Sequence, residues 1–375
     1  MKPITNEVTI VSTQQEKKNF LRFPYHHYEE DPYWVPPLMM DQKKLLNKKK
    51  NPFYNQGEIV QFLAERNGIP SGRLAAIIDH RYNEYHNTLT GFFGFYESID
   101  SQDTTDLLFR VASDWLRDQG MKTVLGPANP GMMDEIGILV EGFESYPYIL
   151  MPWNKPYYDS LLKGAGFSKA TDLYAYEVTQ DSVNRERMHR AVEIVKKRMP
   201  DLHIRELNMR NLKSELVHIR HIFNESWKDN WGFVPITEEE FQAVASDLKM
   251  IVDTKVAHIA ELNGQPVAFS IALPDYNQVF RKMDGTLFPT GIFKLLYHRR
   301  YINRIRTALM GVLPEYRGRG IDALLHQKAI QNGKEVGYYA SELSWILESN
   351  VEMIRVAEKI GGYKSKTYRM YQMDL

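Results

Sequence analysis

The sequence predicts an α/β (α+β) fold that consists of two tandem copies of one unit, each a mixed, mostly antiparallel sheet flanked by helices. Segments in which every second residue is apolar, as in strands, alternate along the chain with segments that have the apolar spacing of helices. The turn pair Asn67-Gly68, with Ala-Glu before it and Pro after it, recurs as Asn263-Gly264, 196 positions further on. A repeat of this length indicates a duplicated unit.

A second match has the same offset and lies near the end of each copy. Its residues are Asn154, Gly166 and Phe167 in the first copy and Asn350, Gly362 and Tyr363 in the second. Between the two matches, Gly120 and Gly337 end equivalent helices that lie 217 positions apart. The second copy therefore carries an insertion before its central strand, and the first copy carries one at residues 126–153. We expect two domains, residues 1–180 and 181–375, divided near the polar residues 179–184.

In the first copy, the patterns predict five strands and two helices. The strands are expected at residues 7–12, 58–66, 72–79, 91–98 and 122–125, and the helices at residues 14–30 and 105–119. Asn67-Gly68 predicts a tight hairpin turn. Residues 31–38 contain three prolines and are expected to be neither helix nor sheet interior, and residues 41–50 are expected to be a lysine-rich helix or loop.

The second copy repeats this order. Strands are expected at residues 202–207, 255–262, 266–273, 307–313, 340–347 and 365–373. Helices are expected at residues 212–229, 321–337 and 351–360.

The composition limits the classes of protein and of site. Lys and Arg number 47, and Asp and Glu also number 47, so the formal net charge is zero and no nucleic-acid partner is expected. There is no cysteine, which excludes disulfides, thiolate zinc sites and a cysteine nucleophile. Residues 1–8 lack the apolar core of a signal peptide, and no run of about 18 apolar residues is present. We therefore expect a cytoplasmic protein.

The most specific pattern follows the apolar run at residues 307–313. Pro314 ends that strand because it has no N–H to donate. The glycines after it let the backbone turn its N–H groups outward, and the start of the next helix adds partial positive charge. Two arginines add guanidinium groups suited to phosphate oxygens. The sequence therefore predicts a pyrophosphate site, here called the glycine loop: Arg317, Gly318, Arg319, Gly320 and Ile321.

The segment from Arg317 to Asp322, Arg-Gly-Arg-Gly-Ile-Asp, resembles the Gln/Arg-x-x-Gly-x-Gly/Ala signature of the GNAT acyltransferases. The loop of that family binds the pyrophosphate of acyl-coenzyme A. The match departs at Asp322, where the family has Gly or Ala. A carboxylate that pointed at a pyrophosphate would repel it.

A dinucleotide-binding fold is the alternative for the same residues. Gly318-x-Gly320-x-x-Ala323 also fits the Rossmann pattern, and Glu342 lies about 20 residues further on, where that pattern has a ribose-binding acid. Residues 314–317 count against it, because a Rossmann glycine follows its strand almost directly. The sequence also ends at Leu375, before further strand–helix units.

The GNAT resemblance implies acetyl-CoA or a longer acyl-CoA as co-substrate, bound where the fourth strand separates from the fifth. By position, the backbone of Met310, Val312 and Leu313 would pair with the pantetheine arm. Asn350 resembles the asparagine that contacts this arm, and it is also a candidate N-cap for the helix that follows. Residues 99–105 of the first copy are acidic and lack glycine, so donor binding is expected in the second copy only.

The reaction that the resemblance implies is attack by an amine on the thioester carbonyl. Glu342 near the fifth strand and Asp275 after the third are the candidate bases. The family often has a tyrosine acid seven residues after the asparagine, but Ala357 stands there in this chain. Tyr368 is a candidate substitute for that acid.

Two inserts bear on the acceptor and on membranes. Residues 227–235 are aromatic and stand where GNAT enzymes bind the acceptor. Residues 275–306 contain an apolar stretch followed by four arginines: Arg299, Arg300, Arg304 and Arg306. This insert suits a long acyl chain, peripheral contact with an anionic membrane, or a core helix with a solvated end.

Taken together, residues 32–38, 230–235 and 316–325 resemble a bacterial tandem-GNAT group that includes ceramide-synthase-like proteins. That resemblance implies a long-chain amine as acceptor. The alternative is a non-catalytic GNAT-fold protein that binds acyl-CoA or a membrane surface. Helical spacing also aligns Glu215, His218, His221 and Glu225, but a surface helix produces such a set by chance, and no metal site is expected.

Overall fold

The computed structural model describes residues 5–375, so the expectation about the amino end falls partly on residues 1–4, outside the described part. The chain forms two compact α/β units. The first unit comprises the chain up to Asp172, Phe280–Leu295 and Thr367–Leu375, and the second comprises Leu173–Val279 and Leu296–Lys366. The domain boundary at residues 180/181 is inferred from the sequence repeat, and it stays a prediction.

Up to residue 179 the chain contains nine strands and five helices among its described residues. The strands are β1 (Asn6–Ile10), β2 (Gly57–Arg66), β3 (Ile69–Asp79), β4 (Thr90–Ser98), β5 (Thr123–Gly126), β6 (Ala128–Asn129), β7 (Glu135–Ile136), β8 (Ile138–Glu141) and β9 (Ser168–Thr179). The helices are α1 (Gln14–His27), α2 (Met39–Leu45), α3 (His80–His86), α4 (Gln102–Asp118) and α5 (Tyr158–Gly164).

After residue 179 the chain contains six strands and seven helices among its described residues. The strands are β10 (Leu202–Glu206), β11 (Ala257–Leu262), β12 (Gln265–Pro274), β13 (Arg304–Val312), β14 (Ala340–Leu347) and β15 (Tyr363–Asp374). The helices are α6 (Arg185–Arg198), α7 (Leu212–Trp227), α8 (Glu238–Leu248), α9 (Asn277–Phe280), α10 (Gly291–His298), α11 (Ile321–Glu335) and α12 (Val351–Lys359). No helix among residues 5–375 is both long enough and apolar enough to cross a bilayer.

Both predicted hairpin turns are confirmed. Asn67 and Gly68 have φ of 54° and 75°, and Asn263 and Gly264 have φ of 51° and 76°. Two successive left-handed residues match the twist of the flanking strands, which is why Asn-Gly is favoured there.

The sheet of the first unit runs β1, β2, β3, β4 and β5, and then the end of β15, which also pairs with β8. The first four strands are antiparallel neighbours, and β4 pairs with β5 in parallel from Thr90 to Phe92. Helix α4 packs its apolar face on this sheet, where Leu108, Phe109 and Leu116 are buried with Phe93.

The sheet of the second unit runs β10, β11, β12 and β13 as antiparallel neighbours. Next to β13 lies β14 in parallel, and β14 pairs on its other side with Leu173–Thr179 of β9. Helices α6 and α11 pack together on β11 and β12, burying Val192, Val195, Leu324 and Leu325. This packing fixes the N-terminus of α11, where the glycine loop ends.

Candidate active site

Strands β13 and β14 separate within the second unit. Their parallel pairing starts at Arg304 and Ala340 and ends at Thr307 and Leu343. The register of β13 with β12 shifts at the same place, because Thr307 pairs with Ala272 and Leu309 with Ile271, which leaves Ala308 as an extra residue. Such a bulge bends a strand and ends pairing on one side.

Beyond the bulge, the backbone of β13 offers polar groups on the side away from β12. The Leu313 N–H donates to the Val267 carbonyl at 3.0 Å. Because every second residue of an antiparallel strand bonds to the same neighbour, the backbone N–H and C=O groups of Met310 and Val312 point away from β12. The Trp227 indole confirms this direction, because its N–H donates to the Met310 carbonyl at 2.9 Å. Leu313 differs, since its carbonyl also accepts the Tyr316 N–H, so both of its backbone groups are already used.

The glycine loop presents a row of peptide N–H groups. Gly318 and Gly320 have φ of 69° and 83°, a conformation that strains any residue with a Cβ. No side chain caps α11. In the described range 5–375, the five N–H groups from Gly318 to Asp322 donate to no group of the chain, and bonding resumes where Ala323 donates to the Gly320 carbonyl at 3.1 Å. Free N–H donors arranged in this way at a helix N-terminus are of the kind that binds anions.

The two arginines of the loop have different surroundings. Arg317 donates from Nη2 to the carbonyl of Ser226, near the end of α7. The Arg319 guanidinium lies 5.4 Å from the centre of the Tyr316 ring. Both arginines are exposed, so their charges face the solvent beside the row of N–H groups.

Asp322 lies close to a buried histidine one turn further along α11. Burial lowers the pKa of His326, and the Asp322 carboxylate opposes that lowering. Nε2 of His326 has no hydrogen-bond partner within residues 5–375. The carboxylate of Asp322 therefore lies in the first turn of the helix, near the buried His326 ring.

Glu342 sits at the point where β13 and β14 separate. It lies opposite Arg306 in the parallel ladder and is fully buried. Ser344 donates from Oγ to Glu342 Oε1 at 2.7 Å, and Arg306 holds Ser344 by donating to its Oγ at 2.9 Å and to its carbonyl at 3.1 Å. Glu342 Oε2 has no partner among the described residues. Burial raises the pKa of Glu342, against the Ser344 hydrogen bond and the Arg306 charge.

The other sequence-predicted residues lie in three places. Asp275 is fully buried after β12, with Oδ2 3.7 Å from Nε of Arg304, so it flanks β13 two residues before Arg306. Asn350 accepts the Met353 N–H at 3.2 Å, which confirms its predicted role as N-cap of α12. Tyr368 is fully buried on β15 in the first unit, opposite Leu139.

The first unit fills the corresponding gap with its own insert. Strands β4 and β5 stop pairing after Phe92, and the insert that follows β5 comes against β4. The Phe95 N–H donates to Asn129 Oδ1 at 2.6 Å. Asn154, the repeat equivalent of Asn350, accepts the Leu139 N–H at 2.7 Å and donates to the Leu139 carbonyl at 3.1 Å. Ser101 Oγ caps α4 by accepting the Thr104 N–H at 3.4 Å, whereas no side chain caps α11.

The histidines and glutamates aligned on α7 do not form a metal set. Within residues 5–375, no group of three or more His, Cys, Asp or Glu side chains is arranged to hold a metal ion. Glu215 instead forms an ion pair with Arg205, with 2.9 Å between Oε1 and Nη1.

The sequence patterns do not indicate Arg306, Ser344 or Ser226 as parts of this site, and they indicate Trp227 only as the start of the aromatic segment at residues 227–235. None belongs to a short motif. Their placement depends on the register of β13 with β14 and on the residue at which α7 ends. The sequence patterns predict neither the register nor that end.

Three comparisons place the chain among known proteins. The sequence profile described as Acetyltransferase (GNAT) family matches residues 216–363. The chain is 34% identical to a protein named bacterial ceramide synthase from Caulobacter vibrioides (strain NA1000 / CB15N), over 97% of this chain and 96% of that one. It is also 34% identical to protein YghO of Escherichia coli (strain K12), over 96% and 94%.

A solved tandem GNAT protein from the clavulanic acid biosynthesis pathway, without AcCoA, has the same fold. Its TM-score is 0.57, with 99% of this chain and 98% of that chain covered at 11% identity. The chain therefore belongs to the GNAT acyltransferase family. Within it, the chain belongs to the bacterial tandem-GNAT group that includes the Caulobacter ceramide synthase and YghO. The predicted fold class and family are confirmed.

Proposed function

We propose that this chain is an N-acyltransferase that transfers an acyl group from acetyl-CoA or a longer acyl-CoA to an amine. The observation that carries the proposal is the row of five N–H groups from Gly318 to Asp322, directly after the separated part of β13. Donors of this kind bind phosphate oxygens without help from a side chain. A pyrophosphate there would leave the pantetheine arm to pair with the N–H of Met310, whose carbonyl accepts from Trp227, and with the outward backbone groups of Val312.

Glu342 is the general base in this proposal. The amine nitrogen attacks the thioester carbon, a C–N bond forms, the C–S bond breaks, and coenzyme A leaves as a thiol. The amine must lose a proton, and Glu342 Oε2 is buried without a partner, among the described residues, where the two strands separate. A carboxylate with a raised pKa is the better proton acceptor near neutral pH. Arg306 and Ser344 would keep Glu342 in position.

A long-chain amine is the proposed acceptor. The support is the 34% identity to a protein named bacterial ceramide synthase, over nearly the whole of both chains. A ceramide is the amide of a long-chain amine, and within residues 227–235 the partly exposed Trp227 and Trp231 would contact such a chain. Within this segment Trp227 is bonded to β13, on the side where the pantetheine arm would lie.

The direct test is thiol release. The protein would be incubated with acetyl-, octanoyl- and palmitoyl-CoA, each with a long-chain sphingoid base, a short aliphatic amine and an amino sugar, and the products identified by mass spectrometry. We expect amide product and free thiol with the sphingoid base. Calorimetric binding of the coenzyme without thiol release for any amine would contradict transfer while leaving the binding site in place.

That contradicting result defines the second candidate, a GNAT-fold protein that binds acyl-CoA without transferring the acyl group. One observation favours it. The position where the family often has a tyrosine acid is Ala357, which is fully buried in α12.

A further inference from the structure

Helix α10 (Gly291–His298) is apolar on its outer side as well as on its inner side. Ile292 and Leu295 are half-buried, whereas Phe293 is 71% exposed, Leu296 53% and Tyr297 54%. The expectation of a core helix is therefore wrong for this segment. A helix that is apolar all round is ordinarily covered on all sides. The exposed apolar side chains on the outer side of α10 therefore indicate that another apolar surface covers them.

Basic residues, and no acidic ones, lie in the segment around the outer side of α10. Residues 285–306 contain no Asp or Glu, and Lys294, Arg299 and Arg300 are exposed. The Arg300 guanidinium lies 4.2 Å from the centre of the Tyr297 ring and 5.0 Å from that of Tyr301. The charged group of Arg300 therefore lies against two aromatic rings at the edge of the apolar surface.

We propose that α10 and the turn after it, residues 291–301, dock on the surface of an anionic phospholipid bilayer. Phe293 and Leu296 would enter the boundary between headgroups and acyl chains, and Tyr297 would lie at headgroup level, where its apolar ring and polar hydroxyl are both accommodated. Arg299 and Arg300 would lie among the lipid phosphates, whose negative potential attracts them.

The positive charges of Arg299 and Arg300 favour an anionic bilayer over the other possible partners of α10. A second copy of the chain, docked through the same face, would bring Arg299 and Arg300 against their own equivalents. A free acyl chain would cover the apolar side chains and leave the cations without a partner. An anionic bilayer supplies both the apolar phase and the negative charge. The proposal does not rest on acyl transfer, because no residue of the candidate active site takes part in it.

The test is co-sedimentation of the full chain with vesicles. We expect binding to phosphatidylcholine vesicles that contain phosphatidylglycerol at low salt, weaker binding at high salt, and little binding to phosphatidylcholine alone. Each cation near an anionic surface contributes about fivefold, so the double substitution Arg299→Glu and Arg300→Glu should weaken binding at least about 25-fold. The double substitution Phe293→Ser and Leu296→Ser should abolish vesicle binding.

Two control variants carry the same kinds of substitution at exposed residues outside α10. Val217 and Met250 are 57% and 83% exposed outside α10, and their replacement by Ser should leave vesicle binding unchanged. Arg187→Glu with Arg190→Glu on α6 is the matched charge reversal. Circular dichroism and thermal unfolding would show that each variant folds.

Three outcomes would overturn the proposal. The first is no binding of the wild type to phosphatidylglycerol vesicles, and the second is equal binding by wild type and α10 variants. The third is a dimer of the wild type, seen by sedimentation velocity without lipid, that Phe293→Ser with Leu296→Ser dissociates, because a second copy would then cover the helix.

Discussion

In the first unit, the carbonyl oxygen of Ala128 lies so close to Gly94 that a Cβ on Gly94 would come within 1.9 Å of it. The next residue, Phe95, donates its N–H to Asn129. The separated part of β4 is therefore covered by the chain's own insert. The equivalent strand of the second unit, β13, instead leads into an uncapped row of N–H groups. The two copies share a fold but differ in their sites.

Coenzyme A should bind with a stoichiometry of one per chain. The insert already uses the backbone of β4 in the first unit, whereas the glycine loop of the second unit has free donors. Isothermal titration calorimetry with coenzyme A measures this directly. Two coenzyme sites per chain would contradict the assignment of donor binding to the second copy.

The variant Gly318→Ala should weaken coenzyme binding at least about tenfold, because a Cβ at φ of 69° turns the loop N–H groups away from their common direction. Gly337→Ala is the matched control. That glycine ends α11 with φ of 94°, and a Cβ added at either glycine would meet no atom within 4 Å. Both variants should lose about 1–2 kcal/mol of stability, and only Gly318→Ala should lose affinity.

The variant Asp322→Asn should strengthen coenzyme binding by about threefold. Removing one negative charge near a diphosphate relieves a repulsion worth less than about 1 kcal/mol at a partly exposed site. Titration of the variant and the wild type at low salt gives the ratio. A loss of affinity would show that the carboxylate helps to hold the loop, and would refute repulsion as its main effect.

The variant Glu342→Gln should lower kcat by at least about 100-fold, the usual contribution of a general base. The pKa of Glu342 is raised, so kcat/KM of the wild type should increase as the pH rises through a value above 4.5, where the carboxylate ionises. The variant should lack this inflection. Glu177→Gln, on the neighbouring strand opposite Glu342, is the control and should retain it. An unchanged pH profile in Glu342→Gln would exclude Glu342 as the base.

Glu97 should make the stability of the protein depend on pH. Burial raises its pKa to about 7, with Arg73 opposing. A carboxyl group whose pKa is raised by folding stabilises the folded state fully below about 4.5, and this contribution is lost as the pH rises through about 7. Between pH 5 and 8 the wild type should therefore lose on the order of 2 kcal/mol more than Glu97→Gln.

Thermal unfolding of both proteins across that pH range measures the difference. Glu58→Gln removes an exposed carboxylate on β2 and should follow the wild type. Parallel curves for wild type and Glu97→Gln would contradict the raised pKa.

Much of the fold can be predicted because strand and helix periods are local properties. The sequence predicts a strand at residues 340–347, and β14 is observed as Ala340–Leu347. Helix α6 is not evident from the sequence, since only Met188, Val192 and Val195 are buried among many charged residues. Strand β9 is also absent from the expected elements, although the 196-residue offset from the predicted strand at 365–373 indicates residues 169–177.

The candidate site can be predicted only where a motif carries it. The glycine loop follows from the backbone freedom of Gly318 and Gly320. The contact of Arg306 with Ser344, and the insert that covers β4, depend on strand register and on packing between residues far apart in the sequence. Hydrophobic periodicity predicts neither strand register nor such long-range packing.

The most direct test of the account is a crystal structure of the protein with coenzyme A bound. Pyrophosphate oxygens should lie within about 3 Å of the peptide nitrogens from Gly318 to Asp322, with the pantetheine arm along Met310 and Val312. A pyrophosphate bound elsewhere, with those nitrogens in contact with solvent only, would contradict it.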